Sequence, residues 1–246
     1  MSTRLLRATG VFALALVVLF ALSGCVRGSG NVVTEEREIG EIEQVELSGV
    51  GRLEITQGDS TALTVEADDN LMQYIKTESD NGTLEISVRS GSFPFFTVDP
   101  STTIVYRLTV PALSRASLSG SGEIVGTAIE TDELEIDISG SGSVDLRDLA
   151  VERFAYELSG SGKAAVSGTA SRQEVTISGS GRLDAGELRC ADASIDINGS
   201  GRAIVWVTDQ LEVDISGSGD VQYYGSPKID QNVSGSGSMR NLGEKD

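Results

Sequence analysis

Aliphatic residues recur at fixed phase through the second half of the chain, each set framing Ser-Gly-Ser-Gly, once written Asn-Gly-Ser-Gly. The copies begin at Ser119, Ser139, Ser159, Ser178, Asn198, Ser216 and Ser234, 18 to 20 residues apart. One position before them stand Leu118, Ile138, Leu158, Ile177, Ile197, Ile215 and Val233. Three before are Ala116, Ile136, Tyr156, Val175, Ile195, Val213 and Gln231; five after are Ile124, Val144, Ala164, Leu183, Ala203, Val221 and Met239. The positions between are mostly polar, and that alternation is the period of a half-buried strand. Each unit therefore reads as strand, Ser-Gly-Ser-Gly turn, strand and short loop.

Such a unit cannot bury its apolar face alone. Stacked on its neighbours it makes a continuous core, each aliphatic resting on its equivalent one rung away. The glycines permit positive φ and close backbone approach at the corner, and the serine hydroxyls can bond to local backbone. A flexible Ser-Gly linker would not keep phase with flanking aliphatics. The prediction is an all-β protein, a β-solenoid (β-helix) of stacked repeats of about 20 residues.

Residues 38–117 are strand-rich but less regular. Val45-Glu46-Leu47-Ser48-Gly49-Val50-Gly51 reads as a degenerate first turn, followed by a strand over 52–56 and a Gly58-Asp59 turn. Further strands are expected at 63–67, 84–88 and 103–110, with 68–76 a helical turn or wide loop. Phe93, Phe95 and Phe96 lie in an apolar insertion, read as core packing or as an exposed binding loop.

The front of the chain reads as an address. Arg4 and Arg7 precede an apolar run over 11–22, and Leu22-Ser23-Gly24-Cys25 fits the lipobox of a bacterial lipoprotein. The run is shorter than the roughly 20 residues of a membrane span. The expected layout is a signal peptide at 1–24, a lipid-anchored tether at 25–37 and an irregular solenoid half at 38–117. Regular repeats over 118–240 and a tail at 241–246 complete it. Cys25 is the lipidation site, and the membrane is a partner through that anchor. Val26 is not an aspartate, so the outer membrane is the expected location in a Gram-negative cell.

Cleavage before Cys25 would take the formal charge from −18 to −20, which argues against nucleic acid as a partner. With Cys25 lipidated, Cys190 has no disulfide partner and reads as a small hydrophobe. Histidine is absent, which excludes Ser-His-Asp and Cys-His catalysis and histidine-ligated zinc. Gly160-Ser161-Gly162-Lys163 resembles the end of a phosphate-binding loop, but Glu157 stands where its first glycine belongs. No cofactor is expected. Carboxylate-dependent cleavage of polysaccharide stays open, and it requires a close acidic pair in a groove.

Two charge patterns follow from the stacking. Asp137, Glu157, Asp196 and Asp214, two residues before their motifs, would form an outward acidic ladder with rungs about 5 Å apart. Four residues after the motif, Lys163, Arg182 and Arg202 would form a basic strip. Stacked like charges destabilise a sheet unless solvated or offset by a ligand. The ladder would take a divalent cation or a basic partner, and the strip anionic groups; a salt-screened surface is the plainer reading.

Several segments together resemble a known family: Leu47-Ser48-Gly49-Val50-Gly51, Ile55-Thr56-Gln57-Gly58-Asp59, Val65-Glu66-Ala67-Asp68-Asp69-Asn70, Gly82-Thr83-Leu84-Glu85-Ile86 and Leu108-Thr109-Val110-Pro111, then Leu118-Ser119-Gly120-Ser121-Gly122. Their order is similar to that of the head GIN domain of the family described as "putative auto-transporter adhesin", over about residues 38–240. The resemblance implies a β-helical fold on bacterial envelope proteins, often lipoproteins, and assigns no catalytic residues. Gly243-Glu244-Lys245-Asp246 stand where a translocator barrel would follow, so self-secretion is not expected. The sequence thus points to a non-enzymatic, lipid-anchored β-helical head with an adhesive role toward a glycan or an envelope protein. The rivals are a structural or signalling lipoprotein that binds another envelope protein, and a carboxylate-dependent polysaccharide-active enzyme.

Overall fold

A computed structural model describes residues 25–88 and 97–245. The lipobox residues before Cys25, and Phe93, Phe95 and Phe96 in the apolar insertion, lie outside the described residues.

The first glycine of the repeat dictates the first corner of each turn. From Gly120 to Gly235 the first glycine of every motif has φ between +113° and +134°, a region that side-chain-bearing residues avoid. A Cβ at Gly160 would lie 2.5 Å from the Gly140 carbonyl oxygen of the rung below. Backbone bonds then tie corner to corner, as in Ser161 N–H to Gly140 O at 2.8 Å and Lys163 N–H to Gly142 O at 3.1 Å.

Between corners the strands are parallel and in register. β3 (Gln44–Gly49) and β4 (Arg52–Gln57) form the first rung, beneath β10 (Arg115–Gly120) and β11 (Glu123–Thr127). The degenerate motif is a true copy, since Ser48 pairs with Ser119 and Gly49 with Gly120. Above them lie β12 (Glu130–Gly140), β13 (Ser143–Gly160), β14 (Lys163–Gly179), β15 (Arg182–Gly199) and β16 (Arg202–Gly217). β17 (Asp220–Tyr224), β18 (Lys228–Gly235) and β19 (Ser238–Asn241) complete a solenoid of about six turns.

The short loop expected in each repeat is not a break. β13, β14 and β15 run through it as continuous strands of 17 or 18 residues, with register shifts such as that between Leu146 and Leu149. A bulge adds twist while the ladder continues on either side, so the second corner needs no irregular segment. Inside, Leu118, Ile138, Leu158, Ile177, Ile197 and Ile215 stack at no more than 1% exposure.

The N-terminal region departs from this plan. β5 (Ala62–Asp68) runs antiparallel to both β2 (Val32–Arg37) and β9 (Val105–Val110), and β6 (Ile75–Asp80) runs antiparallel to β7 (Thr83–Val88). β7 and β9 in turn pair parallel to β3 and β4, so this meander roofs the first rung. A single 3-10 turn, Met72–Tyr74, links β5 to β6 where a helical turn or wide loop was expected. The segment read as a tether carries β1 (Cys25–Arg27), parallel to β8 (Thr97–Asp99), together with β2.

Candidate functional site

Register places the acidic ladder as expected along one outward face. Asp137 pairs with Glu157, Glu157 with Thr176, Thr176 with Asp196, and Asp196 with Asp214. Local donors engage most of it. Arg115 reaches Asp137 at 2.7 Å and Ser117 Oγ donates to it at 3.2 Å. The side-chain amides of Asn198 and Asn232 donate to Asp196 and Asp214 at 2.7 and 2.9 Å. Thr176 separates the two acidic pairs, and among the described residues no three His, Cys, Asp or Glu side chains are grouped as metal ligands.

Around the corner, the column containing the basic strip reads Arg52, Glu123, Ser143, Lys163, Arg182, Arg202, Asp220 and Ser238 from rung to rung. Its ends are satisfied. Arg52 pairs with Glu123 at 2.9 Å, and Arg202 with Asp220 at 3.1 Å. Hydrogen bonds from Ser238 and Arg202 hold the Asp220 carboxyl below the usual carboxylate range. The middle is different: among the described residues the Lys163 and Arg182 side chains have no hydrogen bond or ion pair. They border an open notch of about 290 Å³ whose lining also includes Ser143, Ala165 and the carboxylates Glu123, Asp145 and Asp184. The Asp145 carboxyl is occupied by Arg147 at 2.8 Å, whose hydrogen bonds hold it below its ordinary range.

A larger groove, about 770 Å³, runs along the second corner and carries Asp59, Glu130, Asp132 and Glu152 on its walls. All four are exposed. A glycosidic general acid needs a carboxyl desolvated enough to stay protonated near neutral pH, and nothing here desolvates one. Among the described residues, the carboxylates displaced from the ordinary range (Asp68, Asp69, Asp145, Glu174 and Asp220) all move downward. Cys190 is buried, its thiol pushed up to about 12 by burial, which leaves it unreactive. Cys25 is exposed.

One constellation gave no chemical signal in the sequence. Asp68, fully buried, accepts bonds from Gly30 N–H at 2.8 Å, Ser101 N–H at 2.8 Å and Ser101 Oγ at 2.5 Å. Asp69 accepts from Ser29 Oγ at 2.5 Å and Asn31 Nδ2 at 2.9 Å, and Asn70 Oδ1 accepts from Ser29 N–H at 2.9 Å. This clamp fixes the backbone that follows Cys25 onto the roof of the solenoid. Gly28 permits it, because a Cβ there would sit 2.2 Å from Asp68 Oδ2.

Residues 42–227 match the family model described as "Putative auto-transporter adhesin, head GIN domain". The chain belongs to this family. The head GIN fold is shared with a "putative adhesin" of Bacteroides fragilis at 24% identity and TM-score 0.80, over 88% of this chain and 100% of that one. It is shared equally with a "putative lipid binding protein" of Parabacteroides distasonis at 27% identity and TM-score 0.76, over 89% and 100%. A second P. distasonis protein, again a "putative adhesin", aligns at 22% identity and TM-score 0.71, over 89% and 100%. No curated protein matches the chain. The head GIN family places this chain among adhesin-like proteins of the bacterial surface or envelope.

Proposed function

We propose that this head GIN domain is a non-catalytic adhesive head, lipid-anchored through Cys25 and displayed on the bacterial envelope, whose Lys163–Arg182 notch contacts anionic groups of a glycan. The observation that carries the reading is the contrast within one column. Arg52 and Arg202 are neutralised by acids of adjoining rungs, whereas Lys163 and Arg182 repel each other across neighbouring rungs with no acid between them. In a chain with formal charge −18, acids are plentiful, so two unpaired cations beside an open notch are the part of this face that an incoming carboxylate or sulfate would stabilise.

The anchor reading draws on the lipobox and on the exposure of Cys25. Outer-membrane placement follows from Val26 if the cell is Gram-negative. The groove carboxylates argue against the enzymatic alternative, since all are open to solvent. The lipid-binding name of the P. distasonis relative is not carried over; aliphatic side chains fill the interior of the stack.

The test is retention of the chain from Cys25 onward, with Cys25→Ser, on an array that includes uronate-bearing and sulfated glycans, with and without calcium. Retention abolished by Lys163→Ala with Arg182→Ala supports the reading. No retention on any glycan would remove it in favour of an envelope-protein partner sought by crosslinking in cells. Mass spectrometry of the membrane fraction tests acylation of Cys25 separately.

A further inference from the structure

Among the described residues the two ends of the solenoid are finished differently, and the last rung has an open strand edge. Among the described residues β18 pairs only with β16, and β19 only with β17, so the outer edge of the last rung offers unpaired backbone groups. Ile229 and Val233, which continue the buried columns of Leu211 and Ile215, are each 40% exposed. The tail does not cover them. Gly243 O accepts from Gly225 N–H at 2.9 Å, and Lys245 Nζ reaches back to Gly186 O at 2.7 Å, lying over Trp206 and Tyr224. The tail is thus held along the flank of earlier rungs, away from the edge.

A long edge strand with apolar residues is a template for strand addition, and repeat proteins usually close such ends with a polar cap. Charge also sets this rung apart. Residues 226–241 carry Lys228 and Arg240 against Asp230 alone, in a chain with 37 acids and 19 bases. The end therefore sets fewer like charges against a second copy than the acidic lateral faces would.

We infer that the β18 edge docks against the β18 edge of a second copy of this chain, antiparallel about a two-fold axis through Gln231. The sequence Lys228-Ile229-Asp230-Gln231-Asn232-Val233-Ser234 is self-complementary in that register. Ile229 lies opposite the partner's Val233 and continues the core, Gln231 meets its own copy, and Asp230 lies opposite the partner's Asn232 as acceptor to donor. No charge faces a like charge along the strand. An isologous contact of this kind closes at two chains and does not propagate. Cys25 lies at the opposite, roofed end, so joined chains would hold their anchors at far ends, as in contact between two surfaces. That last consequence rests on the adhesive reading above; the pairing itself does not.

The experiment uses the chain from Cys25 onward with Cys25→Ser, since every described strand lies within it. Sedimentation equilibrium should show a monomer–dimer equilibrium, and Ile229→Lys with Val233→Lys should weaken association roughly 100-fold or more. Circular dichroism must remain that of the parent, and Gln231→Glu, which sets two carboxylates against each other on the axis, is the milder second variant. Gln231→Cys should give an oxidised covalent dimer and Asn232→Cys should not. A monomer at all concentrations, or equal crosslinking at both positions, would overturn the inference. Association is read in solution, so a monomer leaves adhesion to other ligands standing, and failed glycan retention leaves the dimer standing.

Discussion

At the roofed end, Leu47 occupies an inward position of the first rung and is 1% exposed; at the other end Val233 occupies the equivalent position of the same column and is 40% exposed. The same alternation produces both. What differs is whether non-repeating sequence supplies a cover. Among the described residues, 32–37, 62–68 and 75–80 supply it at one end as antiparallel strands, and β18 and β19 are the outermost rung at the other. Repeats propagate a solenoid, but only departures from the repeat can end one.

The sharpest way to break this comparison is at the motif glycines. Gly49, in the first rung, has φ +113° and nothing within 4 Å of an added Cβ, whereas Gly160 has φ +132° and the Gly140 carbonyl oxygen at 2.5 Å. Gly49→Ala should cost only backbone strain, about 1–3 kcal/mol. Gly160→Ala must also push two rungs apart and should cost about 4 kcal/mol or more. Urea unfolding of both variants measures the difference. Equal costs would mean that corner strain alone, not stacking, makes the motif necessary.

The roof should fail before the stack when acidified. Hydrogen bonds from Ser101, chiefly its hydroxyl, hold the Asp68 carboxyl below its ordinary range; those from Asn31 and Ser29 do the same for Asp69. A carboxyl depressed in the folded state stabilises it fully above the unfolded value, near 4, and that contribution is lost as pH falls through the folded value. Hydrogen exchange between pH 5 and pH 2 should therefore accelerate first at residues 29–31 and 101, with residues 134–215 still protected. Asp68→Ala should produce the same pattern at neutral pH. Uniform loss of protection would show that roof and stack unfold as one unit.

This split follows what the chain made legible. Within the stack, short-range alternation fixed the register to the residue: the aliphatic columns, the Asp137-to-Asp214 ladder and the Lys163–Arg182–Arg202 column all lie where phase predicts. In the N-terminal region the strands over 52–56, 63–67, 84–88 and 103–110 were visible, but β1, β2, β6 and β8 were not. Their partners have no periodic relation to them; Asp68 finds Gly30 and Ser101 at separations of 38 and 33 residues. Even in the stack, phase located the Lys163–Arg182–Arg202 column without revealing which cations are neutralised. Arg202 is paired because Asp220 happens to occupy the next rung, a contact 18 residues away that charge counting cannot see.

The smallest predicted effect compares one tyrosine from each region. Tyr106 sits beneath the roof and Tyr156 within the stack, both no more than 1% exposed, and in neither does the hydroxyl find a hydrogen-bond partner among the described residues. Burial raises the pKa of both phenols above the ordinary tyrosine value. A buried hydroxyl without a partner forfeits its hydration and gains no bond in return. Tyr106→Phe and Tyr156→Phe keep the ring that fills each layer, since Tyr156 stands where Ile136 and Val175 stand in adjoining rungs. Each should leave stability unchanged or raise it by about 1 kcal/mol, read from urea midpoints at constant slope. A loss of that size at Tyr106 alone would mean that the irregular roof satisfies a polar group which the regular stack strands.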